Sequence, residues 1–161
     1  MILVGVGSNL SVSGIGGPPQ VVVAAVRALA AEGLAVVAQS PWYRSAPVPA
    51  SDQPWYVNGV VAVETDLDAA ALLTLLHRVE TAFGRVRREV NEARGLDLDL
   101  LDHHGQVRTE VPVLPHPRMH QRAFVLLPLR DLAPGWRHPV SGLDLAALIA
   151  ALPPGQVTEP L

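Results

Sequence analysis

Short apolar runs alternate along the chain with stretches whose apolar residues recur every three or four positions, and each pattern predicts an element. An apolar run over 2–6 leads into Gly5-Val6-Gly7-Ser8-Asn9-Leu10 and reads as a strand. A Gly/Pro stretch over 14–19 follows, then Val22, Val26 and Leu29 at helical spacing, with Gly33 as a stop. The pattern predicts a second strand over 34–43, a proline-containing loop over 44–53, and a strand of mostly β-branched residues over 56–65. From 68 to 83, Leu72, Leu75, Leu76, Val79 and Phe83 trace one helical face, with Asp66 or Asp68 as cap and Gly84 as stop. Residues 85–94 are polar and aperiodic, the pattern of an exposed, mobile loop. A strand over 96–102, helices over 122–132 and 143–152, and a frayed tail from Pro153 complete the chain. The order β-α-β-β-α-β-α predicts an α+β, ferredoxin-like βαββαβ core, an antiparallel sheet with helices on one face plus extra C-terminal helices.

Composition narrows the class. The 161 residues, 49% of them hydrophobic, suit one domain over 1–161 that buries its own core. There is no cysteine, so disulfides, thiolate metal sites and cysteine nucleophiles are excluded. The apolar start reads as a strand rather than a leader, and no run is long enough to cross a bilayer, so the expected place is the cytoplasm, with no membrane partner. A net charge of −3 argues against a nucleic-acid partner. All 12 basic side chains are arginine, which excludes a Schiff-base or Walker lysine and leaves planar forks suited to phosphate; genomic bias would give the same usage.

The strongest local chemistry is Leu96-Asp97-Leu98-Asp99-Leu100. In a strand the leucines share one face and the two aspartates the other, where their repulsion favours a cation such as magnesium between them. A solvent-facing polar strand fits the same residues. Arg78, Arg85, Arg87, Arg88 and Arg94 lie just before the acids, so forks could reach an anion held there, or form a solvated loop offset by Glu89 and Glu92. Gly5 and Gly7 lack the third glycine of a dinucleotide fingerprint, Leu10 standing in its place, and Gly7 with Asn9 fits the shaping of a strand exit. Pro117 between His116 and His120 disfavours a helical metal pair, leaving His116 as a phosphate contact or an ordinary loop residue. Trp42, Tyr43, Trp55, Tyr56 and Asn58 could wall and read a flat heterocycle, or be core aromatics.

Taken in order, Gly7-Ser8-Asn9-Leu10, Ser40 to Ser45, Asp52 to Asn58, Gly84-Arg85-Val86-Arg87, Arg94 to Asp99, and Leu114-Pro115-His116-Pro117 followed by Arg122 to Leu126 resemble the 6-hydroxymethyl-7,8-dihydropterin pyrophosphokinases of folate biosynthesis. The resemblance implies magnesium-dependent transfer of diphosphate from ATP to the pterin alcohol, releasing AMP. It implies that Asp97 and Asp99 hold two magnesium ions and that Arg85 and Arg94 act in catalysis from a closing loop. By the same resemblance, Glu80, Leu100, His116 and Arg122 contact ATP, while Ser45, Val48, Tyr56, Asn58 and Phe124 form the pterin pocket. Association with other folate-pathway enzymes is a further expectation of it. Asn91-Glu92-Ala93 replaces the family's frequent Trp-Gly-Pro, and Gly95 replaces a threonine. A magnesium-dependent kinase or hydrolase of another small alcohol, or a binding module without catalysis, would share the local features.

Overall fold

The computed structural model describes residues 1–84 and 95–161. The apolar run at the start forms β1 (Ile2–Ser8), followed by α1 (Pro18–Ala31), β2 (Ala35–Gln39), β3 (Tyr43–Ser45), β4 (Tyr56–Glu64) and α2 (Ala69–Ala82). After it come β5 (Asp97–His103), a 3-10 turn at Met119–Gln121, α3 (Ala123–Leu132), α4 (Leu145–Ala150) and β6 (Thr158–Pro160). The sheet runs β5-β1-β4-β3-β6, with β2 also on β4, and every pairing among the described residues is antiparallel. Taking β2 and β3 as one interrupted strand beside β4, this is the strand order of the expected ferredoxin-like core.

Both faces of that sheet are covered. Ile2, Val4, Val6, Val61, Val63, Leu98 and Leu100 pack against α1 and α2 through Val22, Leu29, Leu72 and Leu76. Leu3, Val60, Ala62 and Leu101 pack the other way, against Met119, Leu126, Leu129 and Leu148. The extra C-terminal helices therefore supply a second layer. This explains why β1 and β4 read as nearly continuous apolar runs, since a strand buried on both faces loses the alternation of a half-exposed one. Asp68, the cap foreseen for α2, accepts from the Ala71 amide at 2.8 Å, and Asp144 caps α4 through the Ala147 amide at 2.9 Å.

Three expectations change. The strand expected over 34–43 is split, because Pro41 offers no amide and Trp42 turns in to cover Gly59, where an added Cβ would lie 2.5 Å from the indole ring. Ser40 bridges the break: its hydroxyl accepts from the Val60 amide at 3.0 Å, and its own amide donates to the Val60 carbonyl at 2.9 Å. The tail is not frayed, since Thr158–Pro160 adds to the free edge of β3 as β6. Trp42 and Tyr43 serve packing rather than a pocket, the Tyr43 hydroxyl donating to Asp131 on α3. The loop expected over 85–94 lies outside the described residues.

A bulge opposite Leu3 and Val4 changes the register of β5 so that Asp102, paired with Leu3, lies under Trp136, whose indole N–H donates to it at 2.9 Å. Against Trp136 packs His138, whose Nδ1 accepts from the amides of Val140 at 3.2 Å and Ser141 at 3.3 Å. Burial first, then neighbouring His120, hold the His138 pKa below its ordinary 6.5, with Asp102 opposing. Protonating Nδ1 would also turn an acceptor into a donor facing two amides. The unfolded chain therefore binds the proton more readily, and stability falls as pH drops below 6.5. Urea midpoints measured on either side of that pH should differ less for His138→Gln than for the parent protein; an undiminished difference would assign the acid sensitivity elsewhere.

Candidate active site

Strand pairing assembles the site on the sheet face that α3 and α4 cover only in part. On that face β1 presents Leu3, Gly5 and Gly7 in succession, while Val60 on β4 and Leu101 on β5 give way to Asn58 and to Asp99 and Asp97. Gly7 pairs with Asn58 on one side and Asp97 on the other, and Gly5 pairs with Asp99. The central strand thus has no side chain between its functional neighbours. A Cβ on Gly7 would stand 3.0 Å from the Asn58 amide nitrogen, closer than packing normally allows. Both glycines lie within β1, and Gly7 and Asn9 flank its last residue, Ser8, where the strand ends. The sheet partners of these glycines, Asn58, Asp97 and Asp99, line a cleft of about 290 Å³.

One end of the cleft is ionic. Asp97 and Asp99 line it as the two-residue period predicts, and His116, Arg118 and Arg122 line it from the loop before α3. His116 Nε2 is 4.0 Å from Asp99 Oδ1, and Arg122 Nη1 is 3.9 Å from Asp99 Oδ2. His116 Nδ1 accepts from the Arg118 amide at 3.2 Å, which places the proton of the neutral ring on Nε2, toward Asp99. Burial, then the charges of Arg122 and Arg118, lower the His116 pKa to about 4 against the opposing pull of Asp97. At neutral pH His116 is therefore a hydrogen-bond donor without charge, and the arginines carry the positive charge.

The other end is flat and largely neutral. Tyr56 and Asn58 line it from β4, Phe124 from α3, Ser45 from β3, and Val48 from the loop after it. Asn58 is buried and its side-chain oxygen accepts from the Ser45 hydroxyl, leaving the amide group fixed in orientation. The buried Asn9 amide donates to the Pro54 carbonyl at 3.1 Å and to Gln53 at 3.4 Å, tying the loop before Tyr56 to the end of β1. Arg122 joins the two ends, its guanidinium 5.3 Å from the Phe124 ring centroid. Trp55 stays outside, half exposed beneath Arg44.

Nine of the residues singled out in the sequence thus meet in one cleft: Ser45, Val48, Tyr56, Asn58, Asp97, Asp99, His116, Arg122 and Phe124. Two do not line it. Leu100 is in the core beneath the sheet, against α1 and α2. Glu80, on α2, is buried and accepts from the Leu98 amide at 2.9 Å, between the two aspartates in sequence. It anchors the start of β5. Arg85 and Arg94 lie outside the described residues. Sequence reasoning included Gln53 only within the motif Asp52 to Asn58, with no role of its own, and did not single out Ser51 or Arg118; for Arg118 the available signal was its place in the loop between His116 and Arg122.

Asp97 and Asp99 suit a hard divalent cation, since both present carboxylate oxygens from one strand face to an open cleft. Among the described residues no group of three or more His, Cys, Asp or Glu converges. A cation here would draw its remaining ligands from phosphate and water, which is the usual habit of magnesium.

Glu80→Ala would leave the Leu98 amide buried and unpaired, and should lower unfolding free energy by about 1–3 kcal/mol in urea titration. Unchanged stability would show that the anchor is dispensable.

Residues 3–134 match the family described as 7,8-dihydro-6-hydroxymethylpterin-pyrophosphokinase, HPPK. A 2-amino-4-hydroxy-6-hydroxymethyldihydropteridine pyrophosphokinase of Methylorubrum extorquens is 42% identical over 132 residues, covering 81% of this chain and 80% of that one. The enzyme of the same name from Pseudomonas aeruginosa is 47% identical over 120 residues, 73% of each chain. Among solved structures, wild-type Plasmodium falciparum HPPK-DHPS superposes with a TM-score of 0.67 at 12% identity, over 92% of this chain and 44% of that chain, a likeness of fold. This chain belongs to the HPPK family.

Proposed function

We propose that this protein transfers diphosphate from ATP to 6-hydroxymethyl-7,8-dihydropterin, yielding the pterin diphosphate and AMP, as a magnesium-dependent step of folate biosynthesis. The family match over residues 3–134 carries the reading. The cleft suits it physically, because one cavity combines a carboxylate and arginine end with a flat end that has a fixed amide.

In the reaction the pterin hydroxymethyl oxygen attacks the β-phosphorus of ATP. A new P–O bond forms, the bond from the β-phosphorus to the α,β-bridging oxygen breaks, AMP leaves with that electron pair, and the hydroxyl proton passes to water. Tyr56 and Phe124 would hold the pterin ring by its faces and Asn58 would read its edge, with Ser45 fixing the amide. Arg122 and the neutral His116 would bind phosphate oxygens by donating hydrogen bonds, Arg122 adding charge. Asp97 and Asp99 would hold two magnesium ions, which when bound neutralise triphosphate charge and align it. Arg85 and Arg94 are assigned the remaining cationic role, and Glu80 and Leu100 act indirectly, through the placement of β5. The cytoplasm, where folate-pathway enzymes could associate with it, is the proposed setting.

The first test is nucleotide product analysis with ATP, magnesium and the pterin alcohol. AMP in equal amount to pterin consumed, abolished by a chelator, is expected; ADP or inorganic phosphate instead would make the chain a different kinase or a hydrolase. Arg94→Ala should slow single turnover about 10²- to 10³-fold. Gly7→Ala crowds Asn58, and should raise the KM for the pterin about 5- to 10-fold with less effect on that for ATP. Equal effects on both substrates would place Asn58 outside the pterin pocket.

A further inference from the structure

Arg122 sits where the backbone changes from extended (φ −118°, ψ 111°) to helical at the start of α3, and its own side chain does not cap that helix. The direction of its guanidinium depends on where the change falls, because one residue of extra or missing helix rotates a side chain by about 100° around the axis. First-turn amides have no partner within a helix, and helix ends fray unless something outside supplies one. Here the partner comes from 33 residues further along the chain. The Gln156 side-chain oxygen accepts from the Ala123 amide at 2.9 Å, and its nitrogen donates to the Gln121 carbonyl at 2.7 Å. One side-chain amide thus grips the peptide groups on both sides of Arg122.

The segment carrying Gln156 is itself fastened to the opposite wall of the cleft. The Val157 carbonyl accepts from the Ala46 amide at 3.0 Å, and Thr158 pairs with Ser45 in the sheet. Gln156 also lines, with Arg118 and Arg122, a groove beside the cleft. We propose that Gln156 is a positioning residue: it locks the start of α3 so that the Arg122 guanidinium stays over Phe124 and beside Asp99, aimed at the nucleotide phosphates. The proposal rests on the assignment of Arg122 to ATP above.

The test is Gln156→Met, which removes both hydrogen bonds while keeping side-chain length. It is read as affinity for magnesium α,β-methylene-ATP by calorimetry, together with Tm and the KM of each substrate, alone and combined with Arg122→Ala. Nucleotide affinity should fall about 5- to 10-fold with the pterin KM within about twofold, and the added loss should vanish in the Arg122→Ala background. Gln156→Glu, which keeps the acceptor for Ala123 and loses the donor, serves if the methionine variant does not fold, and should show the same dependence on Arg122. A lowered Tm with unchanged nucleotide affinity, or an equal loss in the Arg122→Ala background, would reduce Gln156 to a structural role and overturn the proposal. Unchanged affinity in Arg122→Ala alone would overturn the assignment of Arg122 first, and the proposal with it.

Discussion

The sheet must hide two apolar faces along most of its length and yet leave part of one face open, and the rest of the structure depends on how it does both. Helices α1 and α2 cover one face, while α3 and α4 reach only part of the other. Along that second face the side chains change from Leu3, Val60 and Leu101 to Gly7, Asn58 and Asp97. The first set needs cover; the second has hydrogen-bonding or ionic groups that can face water without cost. No special loop has to create the cavity floor. It is the same sheet, carried beyond the reach of its covering helices and stripped of side chains at its centre.

The two ends of the cleft are built by different means. The ionic end relies on one strand for its acids and one loop for its cations, with His116 kept uncharged between them. That restraint limits the positive charge near the aspartates to the arginines. The flat end relies on pairs that hold one another, Ser45 with Asn58 and Asn9 with the loop before Tyr56. Buried polar groups with fixed partners lose little freedom when a ligand arrives, so this end can discriminate by shape and hydrogen-bond pattern.

Sequence pattern alone made some of this legible. The two-residue period placed Asp97 and Asp99 on one face because Leu96, Leu98 and Leu100 alternate with them. It could not place Tyr56 and Asn58, since β4 is buried on both faces and its apolar run conceals which residues share a side; their pocket role came from the family resemblance. Glu80 was recognised but given to ATP by that resemblance, whereas its described partner, the Leu98 amide, depends on how α2 packs on β5. β6 is three residues long, ends in proline, and is held by an edge pairing rather than by its own pattern, so it read as loose tail. The break at Pro41 was invisible for a similar reason: it depends on Trp42 finding Gly59, a contact across strands.

Gly7 and Asn58 belong to the two central strands, each paired to neighbours on both sides and backed by the principal core. Backbone in such a place opens only when much of the molecule opens with it, so its amides should be among the slowest to exchange with solvent hydrogen. A flat heterocycle entering here would meet a slot whose dimensions are already set, closer to a mould than to a grasping hand. Analogues bulkier at the edge facing the buried Asn58 would find no give beneath them, whereas variation directed toward the rim around Val48, which is exposed, would encounter a softer boundary.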